Sequence, residues 1–310
     1  MRRSNDDDMT VHRQLRTWFP LIRPFTLTAA AVPVLVGSAL AAWDEEYAFR
    51  VLPFLALLLC AILIQAATNM LNEYFDYQRG LDTPESVGIA GTIVRGDLSA
   101  QTVLRGALVC LTGALLFGLY LVLAVSPWLL AVGAVSVLGA YVYSGGPKAV
   151  SSTPFGEAEV FVLMGLLLVG LGYYVHTETI AWGVVIAALP VSCLVAAILL
   201  GNNIRDMSGD AERGRRTLPI VFGRGVGISL LDVLVFGSFG CLVIAVLADA
   251  APWAALLAFL SLPLAPVIAR QFRATTVPAM LHPAVKGIAR LHLVQGGLYA
   301  TGVFLAAVVL

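Results

Sequence analysis

Apolar residues in this chain come in long blocks with polar breaks between them. Nine blocks, at 25–43, 51–69, 103–125, 128–143, 160–175, 180–200, 226–248, 253–268 and 288–310, are nearly free of charge. About 20 apolar residues in helical form cross the hydrocarbon layer of a bilayer. The pattern therefore predicts an all-α fold: a polytopic membrane bundle of nine transmembrane helices. Residues 1–17 read as a polar cytoplasmic tail and 18–310 as a single intramembrane domain.

Composition agrees, with 59% hydrophobic residues, 12% charged residues and a mean hydropathy of +0.88. Soluble domains carry about a quarter charged residues. The formal net charge is zero, so no overall basic field points to nucleic acid. The distribution of charge says more. Of the nineteen Lys and Arg residues, only Arg50 falls outside one alternating set of connections. The positive-inside rule makes that set cytoplasmic, with the N-terminus inside. The expected location is the inner (cytoplasmic) cell membrane, multi-pass. Basic residues before the first span and Ala39-Leu-Ala41 resemble a signal peptide, but eight later spans favour an uncleaved first helix. Cys60, Cys110, Cys193 and Cys241 lie singly in apolar blocks, without metal-ligand spacing.

Two polar stretches follow apolar blocks and end on the same side. The first is Asn69-Met-Leu-Asn-Glu-Tyr-Phe-Asp-Tyr-Gln-Arg-Gly-Leu-Asp82; the second runs from Gly201 to Thr217. Asn69, Asn72 and Asp76 are spaced three then four, as are Asn203, Asp206 and Asp210. On an α-helix that spacing lines three oxygen-bearing side chains along one face. The two triplets, together with Gly80 and Gly214, share an offset of 134 residues, which admits either an internal repeat or coincidence.

Carboxylates at membrane depth are expensive and usually functional. Asp76, Asp82, Asp206 and Asp210 have no obvious Lys or Arg partner in their own spans, so a divalent cation is the expected compensation. Asn and Asp oxygens suit Mg²⁺, which completes its shell with water and substrate phosphates. Arg95 lies in a glycine-containing loop, Lys148 follows a helix stop, and Arg215 and Arg216 follow the second motif; all are placed to clamp phosphate oxygens. Glu73, Asn69 and Asn203 are weaker ligand candidates. Such a site, at the edge of an apolar bundle, suits a molecule with a diphosphate head and a hydrocarbon tail. An ion-coupled transporter is the distant alternative, although it would more often place these groups at the bilayer midplane.

Over nearly its whole length the chain resembles the UbiA superfamily of intramembrane aromatic prenyltransferases. The second family motif is met by Asp206-Met-Ser-Gly-Asp210, and the first by Asn72 and Asp76, with Glu73 where Asp is usual. Gly80 stands where a last Asp is often found, and Asp82 follows two residues later. This form, with Tyr143-Ser-Gly-Gly-Pro147, looks most like the branch acting on 1,4-dihydroxy-2-naphthoate. The resemblance implies transfer of a polyprenyl group from polyprenyl diphosphate to an aromatic acid, here with decarboxylation, as in menaquinone biosynthesis. It implies Mg²⁺ held by Asn72, Asp76, Asp82, Asp206 and Asp210, with diphosphate bound by Arg95, Lys148 and Arg215. Tyr143 is a candidate to shield the allylic cation. 4-Hydroxybenzoate, homogentisate and other acceptors remain open.

Overall fold

The computed structural model describes residues 17–44, 48–82, 91–145 and 149–309. In chain order the helices are α1 (Thr28–Trp43), α2 (Val51–Gln78), α3 (Ala100–Ala124), α4 (Trp128–Ser144) and α5 (Gly156–Thr177). Then follow α6 (Trp182–Glu212), the short α7 (Leu218–Phe222), α8 (Arg224–Leu247), α9 (Trp253–Ala274) and α10 (Pro278–Val309). Every predicted apolar block falls on one of them. Among the described residues seven helices are long and apolar enough to cross a membrane, while α1 and α4 are apolar but shorter.

Helix ends differ from the sequence pattern where polar residues continue a helix. The block at 51–69 runs on unbroken to Gln78, and that at 180–200 runs on to Glu212. Once the backbone is hydrogen-bonded, polarity alone does not end a helix; a stop signal does. The last helix begins at Pro278, not near 288. Pro278 and Pro283, which read as loop punctuation, lie within it. Proline suits a first helical position, because the amide it lacks would have no partner there. Two further helices change character internally: α5 contains a π-helical stretch at Phe161–Leu167, and α9 opens as a 3-10 helix over Trp253–Ser261.

The axis of the bundle is α6, with 72% of its most apolar window buried, against 17% for α3. Lipid supplies no hydrophobic drive between helices, so close approach depends on small residues. The α1–α5 contact shows this. A Cβ on Gly37 would lie 2.0 Å from the Val169 carbonyl oxygen, and the Ser38 hydroxyl donates to the Gly172 carbonyl at 3.1 Å.

The ends of α2, α4 and α6 meet the beginnings of α1, α5 and α10 around one cavity. Arg50, at the start of α2, is at the other end. Its guanidinium donates to Glu178 and to the Ala124 carbonyl, each at 2.7 Å, and its backbone amide donates to His176 Nδ1 at 3.0 Å.

Candidate active site

The two motif helices end in the same way. Gly80 and Gly214 are left-handed, at φ +68° and +81°. The Leu81 amide donates to the Asp76 carbonyl at 2.8 Å and the Gly80 amide to Tyr77 at 3.0 Å. The Arg215 amide likewise donates to Asp210 at 2.9 Å, and the Gly214 amide to Ala211 at 3.1 Å. Both are Schellman caps, in which glycine adopts the left-handed conformation without a Cβ penalty. The shared offset in the sequence thus corresponds to a shared cap. It also puts Asp76 and Asp210 in last turns, where the helix dipole disfavours an anion.

Arg215, the residue after the second cap, supplies the missing charge. Its Nη2 donates to both Asp76 oxygens at 3.0 Å, and its Nη1 lies 3.4 and 3.5 Å from the Asp210 oxygens. Burial opposes a charged guanidinium, but Asp76 and Asp210 outweigh that and raise it above its ordinary value. Asp206 is held by the buried Arg205, through Nε at 2.7 Å and Nη2 at 2.5 Å. Arg205 Nη1 lies 3.2 Å from His282 Nδ1 on α10. The expectation that these carboxylates have no Lys or Arg partner in their own spans is therefore corrected for Asp206, whose partner is its helix neighbour, while Asp76 and Asp210 take theirs from beyond the second cap. Neighbours on a helix do not ordinarily face each other, but the long Arg205 side chain folds back, and the Arg215–Asp76 pair joins residues 139 apart.

The two leading asparagines have their amide nitrogens tied to neighbouring segments, the lead-in to α1 and the start of α5. Asn69 Nδ2 donates to the Ile22 carbonyl at 2.8 Å and the Thr26 hydroxyl at 2.9 Å. Asn203 Nδ2 donates to Glu157 Oε1 at 2.8 Å.

Asn69, Asn72, Asp76, Asp82, Tyr143, Asn203, Asp206, Asp210 and Arg215 all line one cavity of about 410 Å³. Part of its wall is apolar, with Ile64, Leu163, Met164 and Ile198 among the lining residues. Two candidates stand elsewhere. Glu73 is fully buried and faces the following loop; its Oε1 accepts from the Thr92 amide at 2.7 Å, the Thr92 hydroxyl at 2.5 Å and the Ile93 amide at 3.2 Å. Arg95 is 54% exposed, pairs with Asp97 at 2.9 Å and does not line the cavity. Lys148 lies outside the described residues.

Among the described residues no three His, Cys, Asp or Glu side chains converge closely enough to hold an ion. The donor chemistry nonetheless fits a hard divalent cation, since the cavity offers carboxylate and amide oxygens with no thiolate. Asp82 Oδ2 is buried without a hydrogen-bond partner among the described residues. Burial, then the neighbouring Asp76 charge, pushes its carboxyl up to about 7. Arg23 and Arg215 offset that only in part.

Arg23 was not among the sequence candidates. It lines the cavity in a left-handed conformation (φ 47°), and its Nε is buried without a partner among the described residues. The available signal was a charged residue immediately before Pro24, at the entry to an apolar block.

Comparison with known proteins agrees with this geometry. Residues 30–285 match the UbiA prenyltransferase family. The chain is 38% identical over 287 residues to the 1,4-dihydroxy-2-naphthoate octaprenyltransferase of Bacillus subtilis, covering 92% of this chain and 91% of that protein. The fold is similar to that of the ligand-free UbiA homolog from Aeropyrum pernix K1 (TM-score 0.66, 17% identity, 90% of this chain and 97% of that one). It is also similar to that of a UbiA homolog from Archaeoglobus fulgidus bound to DMAPP and Mg²⁺ (TM-score 0.58, 17% identity, 95% and 100%). The Asp-bearing helix ends, the cavity between them and the match over most of the sequence lead to one conclusion: the chain belongs to the UbiA prenyltransferase family.

Proposed function

We propose that this protein transfers a polyprenyl group from an allylic polyprenyl diphosphate to 1,4-dihydroxy-2-naphthoate, with loss of carbon dioxide. One observation carries the reading: a cavity with two Asp-bearing helix ends at its polar side and aliphatic walls beyond. It is reinforced by the 38% identity to a naphthoate octaprenyltransferase. The protein is read as nine crossings of the inner membrane, with residues 1–17 and the Asp motifs on the cytoplasmic side. Residues 18–310 form its single domain.

Asn72, Asp76, Asp82, Asp206 and Asp210 are the residues that would hold Mg²⁺, which supplies charge neutralisation for the diphosphate. Arg215, at the centre of the cavity's carboxylates, takes up negative charge as the allylic C–O bond breaks. Lys148 is assigned to the same anion from its place in the sequence; Arg95, paired with Asp97 outside the cavity, is not. The aliphatic walls keep water from the allylic cation, and the Tyr143 ring shields it. The ring carbon carrying the carboxylate forms the new C–C bond. The C–CO₂ bond then breaks, returning its electron pair to the ring.

The test is purified protein in nanodiscs with labelled polyprenyl diphosphate, Mg²⁺ and a panel of aromatic acids. Mg²⁺-dependent prenylated product, with stoichiometric carbon dioxide from 1,4-dihydroxy-2-naphthoate and loss of turnover in EDTA, is the expected result. Product only with 4-hydroxybenzoate or homogentisate would change the acceptor; no diphosphate cleavage with any acid would overturn the reading.

A further inference from the structure

One carboxylate in the cavity has no role in the chemistry above. Glu159 lies in the first turns of α5, just before the π-helical stretch, and lines the cavity. Its Oε2 is buried and has no hydrogen-bond partner among the described residues. Among the described residues it forms no ion pair, in contrast to Asp76, Asp206 and Asp210. An ionisable side chain held at such a place without a partner costs stability and marks a functional position. π-Helical insertions also concentrate at functional sites, because the extra residue re-aims the side chains around it.

What faces Glu159 is small. Ser136, Gly139 and Ala140 of α4 line the cavity on successive turns. A Cβ on Gly139 would lie 3.8 Å from Glu159 Oε1 and 2.8 Å from Leu163 Cδ1. At Gly139 the two helices are therefore in contact, and the open space beside Glu159 is the cavity itself, where Leu163 and Met164 give an apolar wall next to a hydrogen-bond acceptor. A flat ring with a hydroxyl donor matches that combination. A polyprenyl tail and an ionised diphosphate offer no hydrogen-bond donor, whereas a ring hydroxyl does.

Resting on the reaction proposed above, we propose that Glu159 binds the aromatic acceptor by accepting a hydrogen bond from one of its ring hydroxyls. The cavity beside Leu163 takes the ring. An ionised acceptor polarises the O–H bond and pushes electron density into the ring, which favours attack by a ring carbon on the allylic carbon.

The experiment compares wild type, Glu159→Gln and Glu159→Leu in nanodiscs. Equilibrium binding is read by the fluorescence of a hydroxynaphthoate, and KM is read separately for acceptor and diphosphate. Glu159→Leu is expected to weaken hydroxynaphthoate binding and raise acceptor KM by about tenfold or more. Its KM for the diphosphate stays within about twofold of wild type, as expected for a group that does not touch that substrate. Glu159→Gln keeps an acceptor oxygen and recovers much of the loss. Naphthoate lacking the hydroxyls binds wild type and Glu159→Leu alike. Unchanged hydroxynaphthoate binding in Glu159→Leu overturns the proposal, and so does a rise confined to the diphosphate KM, which would place the prenyl substrate there. Because binding needs no turnover, failure of this site is distinguishable from failure of the transfer reaction itself.

Discussion

Arg215 and Asp76 form the bond that joins the two motif helices: one guanidinium nitrogen donates to both carboxylate oxygens at 3.0 Å. The same guanidinium reaches Asp210, so one cation serves the last turns of α2 and α6. The pair is mostly enclosed, with side-chain exposures of 17% and 21%. It sits where the proposed reaction releases its diphosphate.

Asp76→Ala removes a proposed metal ligand and strands Arg215. Turnover is expected to fall by roughly 100-fold or more, the scale seen when one preorganised electrostatic group is deleted. Loss of the partner should cost about 1–3 kcal/mol of stability. Product formation and thermal unfolding in the same detergent separate the two effects. Activity near wild type would remove Asp76 from the metal site.

Glu73 has a different job from its neighbours in the motif. It ties the loop that carries Arg95 to α2 through three bonds from Thr92 and Ile93. Glu73→Leu leaves those donors buried and unsatisfied, at a cost of roughly 2–4 kcal/mol. Faster hydrogen exchange at 91–97 is the expected signature. Unchanged protection would mean the loop is held by its apolar contacts alone.

Asp82 makes the metal requirement depend on pH. Its folded-state carboxyl titrates at about 7, above the ordinary 3.8, because of burial and Asp76. Below about 7 a divalent cation must displace its proton, so apparent Mg²⁺ affinity should weaken as pH falls from about 8 to 6. Asp82→Asn should flatten that dependence. Stability runs the same way as protonation: the contribution present below 3.8 is lost as pH rises through about 7. A Mg²⁺ titration with the same pH slope in wild type and Asp82→Asn would refute the assignment.

Arg50→Ala tests the opposite end. The Arg50–Glu178 pair is substantially exposed, at 31% and 51%, so its loss should cost no more than about 1 kcal/mol. Turnover should stay within about twofold of wild type. A dead variant would mean that this end of the bundle takes part in the reaction.

Much of the site was legible as spacing. Asn72, Asp76, Asp206 and Asp210 lie on helices that the apolar blocks deliver to one end, and all line one cavity. Spacing could not show which way a side chain turns on a given helix. Glu73 lies one residue from Asn72 yet faces Thr92, because successive helical positions are rotated by about 100°. Arg95 was singled out as its loop's strong cation, but that loop also contains Asp97, and the two pair beyond the cavity. Arg23 and Glu159 went unnoticed because neither belongs to a motif; only the walls of the cavity bring them in.

The sequence by itself determined the helices, the end of the bundle to which the carboxylates go, and the glycine caps that stop both motif helices. These are local consequences. A backbone in lipid must bond within its own segment, a three-then-four spacing fixes a helix face, and a left-handed cap selects glycine. Tertiary structure alone decided which charges meet. Arg215 finds Asp76 across 139 residues, Asn203 finds Glu157, and Glu159 lies beside Gly139 with its Oε2 unpartnered among the described residues. Those pairings depend on how far each helix is rotated and how closely it approaches its neighbours, and small residues packed at distant contacts set both.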